Sequence, residues 1–267
     1  MIESRYPCYL CYISSMGRGV GQDQFTNILG IRRGSTRTDH MPTDNTAQGK
    51  IEQLMLDGIN PVILSTGKHN QLGLAEGEHD IIVVASGDAE VWGHNQVTIY
   101  AYDNADVILR DQTKAFVYDS TQTSVWGESP SKHPIISGFG HARIILNGNA
   151  EALVTDNVHV TATSSRGLIK AKGDAYIIAG GSATVQARDR VVVNIKDGKA
   201  NVRGETTTIA SGKARISAST KAKVIATDEV KVRAKDRATV DAYGDAEVVS
   251  AEGVTVNQFG SNITVTN

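Results

Sequence analysis

Two groups of side chains in this sequence could do chemistry. The first is a run of rings, Trp92, Tyr100, Tyr102, Phe116, Tyr118 and Trp126, with His133 just beyond it. Exposed rings in a row bind sugar faces or anchor a partner protein. The second is a set of carboxylates, Asp103, Asp106, Asp111 and Asp119, which His133 and His141 flank. Two or three acids on one outer groove are the machinery of glycoside cleavage. The spacing of the rings points to what must position them. Trp92 and Phe116 are 24 residues apart, as are Tyr102 and Trp126, while Tyr100 and Phe116, like Tyr102 and Tyr118, are 16 apart. Both intervals are multiples of eight, so the scaffold itself should repeat every eight residues.

The repeat is plainest in the C-terminal third. Lys213-Ala214-Arg215-Ile216-Ser217-Ala218 is followed by Lys221-Ala222-Lys223-Val224-Ile225-Ala226, and the phrase returns at Val230, Ala238 and Ala246. Small or β-branched residues alternate with polar ones, the period of a strand with one buried face. Turn residues such as Thr227-Asp228, Lys235-Asp236 and Tyr243-Gly244 separate the phrases. Short strand, tight turn and fixed period predict an all-β fold, a parallel β-solenoid or β-helix. The octads begin near Ile81, break at a Pro-containing loop over 126–138, and resume at Ala142, with single extra residues expected near 163 and 196. Period eight leaves open whether a coil holds two strands or three. It also leaves open whether one chain forms the rod or three chains intertwine.

Residues 1–75 do not repeat and read as a small mixed cap or attachment domain, with 76–267 as the solenoid. A helix is expected over about 45–57, capped by Thr43 or Asp44 and stopped by Gly58. A strand at 61–65 leads toward the repeat. Cys8 and Cys11 form a Cys-x-x-Cys with no second pair or well-spaced His pair, so they read as structural rather than as zinc or redox residues. Gly17-x-Gly19-x-Gly21 lacks the spacing of a dinucleotide loop, and Thr66-Gly67-Lys68-His69 lacks that of a phosphate loop. The Gly-Gly-x-Gly-x-Asp run of calcium-binding solenoids is missing. Neither metal nor cofactor is expected.

Charge is uneven. Ten acids face two bases between Glu76 and Pro130, and ten bases face four acids between Lys199 and Arg237. The bases alternate with core residues and have no rings among them, so they read as a solvated strand face, and nucleic acid binding is not expected. No signal peptide is read at the N-terminus and no apolar run is long enough to span a membrane.

Ala101-Tyr102-Asp103-Asn104-Ala105-Asp106-Val107 and Ala242-Tyr243-Gly244-Asp245-Ala246-Glu247-Val248 resemble the "Ala-Tyr-Gly/Asp-x-Ala-x-Val" octads of many bacterial and phage proteins. The step of eight is also similar to that of phage-tail and type VI secretion spikes, though no OB-fold-like domain precedes it and no His-x-His tip ends it. The resemblance covers roughly 81–267 and brings no catalytic residue with it. It implies a non-enzymatic structural or interaction rod of a phage virion or a related bacterial assembly, placed in the virion or the host cytoplasm and docking assembly partners through residues 1–75. A homotrimer is one expected assembly. The alternatives are a tailspike that binds or cleaves cell-surface glycan, with the ring residues and His133 as its binding set, and a cytoplasmic scaffold joined end to end by its acidic and basic regions.

Overall fold

The computed structural model describes residues 46–59, 61–72, 81–94, 96–128 and 133–266, all within one compact unit spanning 42–267. Cys8, Cys11, the Gly17–Gly21 stretch and most of the expected cap lie outside the described residues. The unit is a parallel β-solenoid of about eleven turns, with one short helix among the described residues.

Each coil holds two strands. Arg215 pairs with Lys231 and Lys223 with Thr239, a step of sixteen, so one octad lies in one sheet and the next octad in the opposite sheet. The front sheet contains Val97–Ala101, Lys114–Val117, Ile135–Gly138 and their successors; the back sheet contains Asp106–Arg110, Gln122–Gly127, Arg143–Gly148 and theirs. At roughly 4.8 Å per coil the stack is about 50 Å long. Inward positions carry Ala, Val and Ile and are sealed, Ala105, Val107 and Leu109 in one octad and Ala222, Val224 and Ala226 in another. Such small residues let the two sheets approach closely and leave room for little else between them.

The corners explain the aspartates. Asp103, Asp111, Asp119, Asp156, Asp189, Asp197, Asp228 and Asp236 all have positive φ, with glycine taking the equivalent place at Gly140, Gly173, Gly204 and Gly244. A tight corner needs one left-handed residue, and apart from glycine the short polar Asp and Asn tolerate that region best. The carboxylates then tie successive coils together. Asp103 accepts from the Gly87 N–H at 3.1 Å, Asp228 from Gly212 at 3.0 Å and Asp236 from Thr220 at 3.1 Å.

Several boundaries differ from those expected. The ladder starts earlier, at β1 (Val62–Leu72), which pairs along both halves of β2 (Ile81–Gly93). Strand residues fill 122–127 and 135–138, so much of the expected 126–138 loop belongs to the ladder. The irregularity near 163 is an extra residue, giving a 17-residue step from His159 to Tyr176, but the one near 196 is a missing residue, with Thr184 pairing to Lys199 after 15. There the buried Gly198 takes the small corner position; a Cβ on it would lie 2.6 Å from the Ala183 carbonyl. Removing that side chain is what allows the shorter turn.

The helix α1 (Ala47–Leu56) forms as expected but is capped by Thr46, whose side chain accepts from the Gly49 N–H at 3.1 Å, rather than by Thr43 or Asp44. Gly58, at φ 78, ends it. Its stripe, Ile51 and Leu54, packs on the outer surface of the front sheet against Val84 and Tyr102. No described helix is long and apolar enough to cross a membrane.

Candidate functional site

With two strands per coil, residues 16 apart stack and residues 24 apart fall on opposite sheets. This divides the ring residues. Tyr100 stacks on Phe116 at 5.0 Å, and Tyr102 on Tyr118 at 4.7 Å. A fifth ring that sequence reasoning missed, Phe139, continues the second stack at 4.9 Å from Tyr118. It was hidden because the 128–134 loop displaces it from the step of eight. Trp92 and Trp126 point from the back sheet and belong to neither stack.

The front stacks are covered rather than open. Tyr102 is sealed beneath α1, Tyr100 and Tyr118 lie partly buried at its margin, and Lys50 of the helix sits 4.2 Å over the Tyr100 ring. Burial, with Tyr118, Tyr100 and Asp119 adding, pushes the Tyr102 phenol well above its ordinary value, and burial raises Tyr118 as well. On the back sheet Trp92 donates to Glu90 at 3.3 Å, and Lys68 pairs with the same carboxylate at 2.8 Å and holds it below the usual range. The Gly-Lys of the 66–69 stretch therefore serves an ion pair along the stack. Trp126 remains 46% exposed. His133 lies partly buried beside the loop, and His141 is exposed at a corner.

The candidate carboxylates do not converge on a groove. Asp103, Asp111 and Asp119 occupy left-handed corners, Asp103 and Asp119 on one edge of the coil and Asp111 on the other. Asp106 points from the back sheet, its carboxyl raised by burial and by Glu90. Among the described residues no group of three or more His, Cys, Asp or Glu is placed to hold a metal ion.

A third surface emerges from the register. The corner position of Tyr102, Tyr118 and Phe139 continues upward through Thr155 to Lys172, Arg188 and Arg203, then Ser219 and Lys235, each N–H bonding to the equivalent carbonyl one coil below. Beside it, the outward columns of the front sheet carry Lys199, Arg215 and Lys231 in one row and Lys170 and Arg233 in the next. From Leu168 to Ala234 no acid points outward from a front strand. The back strands of the same coils present Tyr176, Ile178, Ile209 and Ile225 instead, with Lys196 and Lys223 as their cations. The front face thus takes part of the basic region, Lys199, Arg203 and Arg215 among it, and joins to it Lys172 and Arg188 from outside, while Lys223 stands on the back sheet. An open groove of about 640 Å³ runs across this face, lined among others by Phe139, Lys172, Gln186, Arg188, Asn201 and Arg203.

Compared with protein-family models, with curated proteins and with solved structures, the chain matches none of them.

Proposed function

We propose that this protein is a non-enzymatic structural and interaction rod, a component of a phage particle or a related bacterial assembly. The observation that carries the rod is the parallel ladder among the described residues from Val62 to Thr266, in which each strand pairs with one a coil away along the same chain. Such a ladder satisfies its own backbone groups and fixes side chains in straight columns, which suits bearing load and presenting a surface. The corner carboxylates support the non-enzymatic reading, because they are engaged in backbone geometry. The particle setting rests on the resemblance of the Tyr102 and Tyr243 octads to those of phage and bacterial proteins. The residues preceding the helix are the proposed docking piece.

The test is to raise antibodies against the solenoid and label particles released by cells that express the gene. Gold on assembled particles is the expected result; protein confined to the particle-free supernatant would sink the virion setting. Light scattering behind a sizing column then separates a single-chain rod of 28.5 kDa from a homotrimer. The basic groove favours a second reading, a carbohydrate-binding spike, over an end-to-end scaffold.

A further inference from the structure

We propose that the basic groove of the front sheet binds an extended acidic polysaccharide lying along the solenoid axis. The inference goes beyond the rod itself, since the face could bind wherever the rod resides.

The first argument is unpaired charge. This architecture readily neutralises a cation with a carboxylate one coil away. Lys221 meets Glu205 at 3.4 Å, Lys213 meets Glu229 at 3.7 Å and Lys223 meets Asp241 at 3.4 Å, all at corners or on the back sheet. On the groove side only the margins are treated so, Lys170 by Glu151 at 2.7 Å and Lys231 by Glu247. Between them Lys172, Arg188, Arg203, Lys199 and Arg215 have no ion-pair partner among the described residues. Columns of like charge at successive coils repel one another, a cost that a bound polyanion would remove.

The second argument is shape. The cations recur at the strand spacing along a straight line, so they suit a linear ligand with charge at regular intervals. A compact anion would meet only one or two of them. The groove floor is small, with Ala171 and Ala187 lying between the charged rows. Guanidinium groups at Arg188 and Arg203 match carboxylates in a two-pronged geometry.

The third argument selects the chemistry between the charges. Gln186 and Asn201 are exposed on the groove, with Ser137 and Thr155 toward its N-terminal end. Amides and hydroxyls both donate and accept, as sugar hydroxyls require. Single-stranded nucleic acid would call for rings on which bases stack, and between Leu168 and Lys235 the front sheet carries none. The one ring on the groove, Phe139, stands at its end as the top of the covered stack, where it can meet a sugar face.

The experiment is affinity electrophoresis, followed by titration calorimetry, of the full chain against polygalacturonate oligosaccharides at low salt. Neutral dextran and poly-dT serve as comparison probes. The wild type should bind polygalacturonate, lose it as salt rises, and ignore dextran. Combining Lys172→Ala, Arg188→Ala and Arg203→Ala should weaken binding roughly a hundredfold, while Lys196→Ala with Lys223→Ala on the back sheet should not change it. The three groove side chains are exposed, so the melting curve should match the wild type. If the triple variant fails that check, Arg188→Gln with Arg203→Gln replaces it. The proposal is overturned if the wild type does not bind, if groove and back-sheet variants behave alike, or if poly-dT binds more tightly and is lost in the groove variant. That last outcome would make the face a nucleic acid surface.

Discussion

At the scale of single residues, the corners and the inward threonines are the most exacting positions. Gly204 sits at φ 82, and a Cβ there would lie 2.8 Å from the Asp189 nitrogen in the coil below. Gly204→Ala should therefore cost about 2 kcal/mol or more, from the left-handed backbone and the clash together. Asp228→Ala at the same kind of corner loses the acceptor for the Gly212 N–H, whereas Asp228→Gly keeps the backbone and should cost less. Denaturant melts of the three variants give the order directly. Thr208 points its hydroxyl into the core with no hydrogen-bond partner among the described residues. Thr208→Val exchanges that hydroxyl for a methyl in an apolar setting and should stabilise the protein by about 1 kcal/mol. A melting temperature below the wild type would show that the hydroxyl is satisfied after all.

At the scale of elements, α1 and the tyrosine stack form one coupled piece. Leu54 is 4% exposed and anchors the helix on Val84 and Tyr102. Leu54→Ala should cost about 2–3 kcal/mol of helix docking while leaving the distal coils intact. Hydrogen exchange is the measurement, with loss of protection expected over 47–56 alone. The same contact makes docking sensitive to alkali. The folded state raises the Tyr102 phenol above its ordinary value of 10.0, so it holds that proton more tightly than the unfolded chain does. Stability from this group is complete below pH 10 and is lost as pH rises through that value toward the folded one. Tyrosinate absorbance should show a late-titrating fraction, and Tyr102→Phe should reduce it to the share of Tyr118 and lessen the alkaline loss. An unchanged titration in Tyr102→Phe would place the late group elsewhere.

At the scale of the whole solenoid, stability is a sum over like coils. Deleting residues 215–230 joins Ala214 to Lys231 and restores the register, because 214 and 230 are equivalent corner positions. The shortened rod should fold with an unchanged circular dichroism shape and a modest fall in melting temperature. Deleting seven residues from the same place turns inward positions outward and should abolish cooperative unfolding beyond the junction. Deleting eight keeps the inward pattern but moves every later octad to the opposite sheet. That variant should fold and carry Arg233 and Lys235 to the opposite sheet while Lys172, Arg188 and Arg203 keep their places, so polygalacturonate binding should persist.

The sequence by itself determined the architecture, because an eight-residue alternation of small and polar residues has few ways to bury its small side. It also marked the corners, since Asp or Gly recurs where a left-handed residue is needed, and it showed the rings to be spaced in multiples of eight. It did not decide how many strands make a coil, because two or three satisfy the same alternation. That single choice lies in how far the chain turns at each corner, a tertiary property. Everything at the candidate sites depends on it. A sixteen-residue coil puts Tyr100 on Phe116 and sends Trp126 to the other sheet. It brings Phe139 beneath the basic column although a loop hides its place in the repeat. It also separates the paired corner lysines from the unpaired arginines of the groove. In sequence Lys172 and Arg188 lie outside the basic run from Lys199 to Arg237; only the alternation of sheets shows that they share a face with Lys199, Arg203 and Arg215.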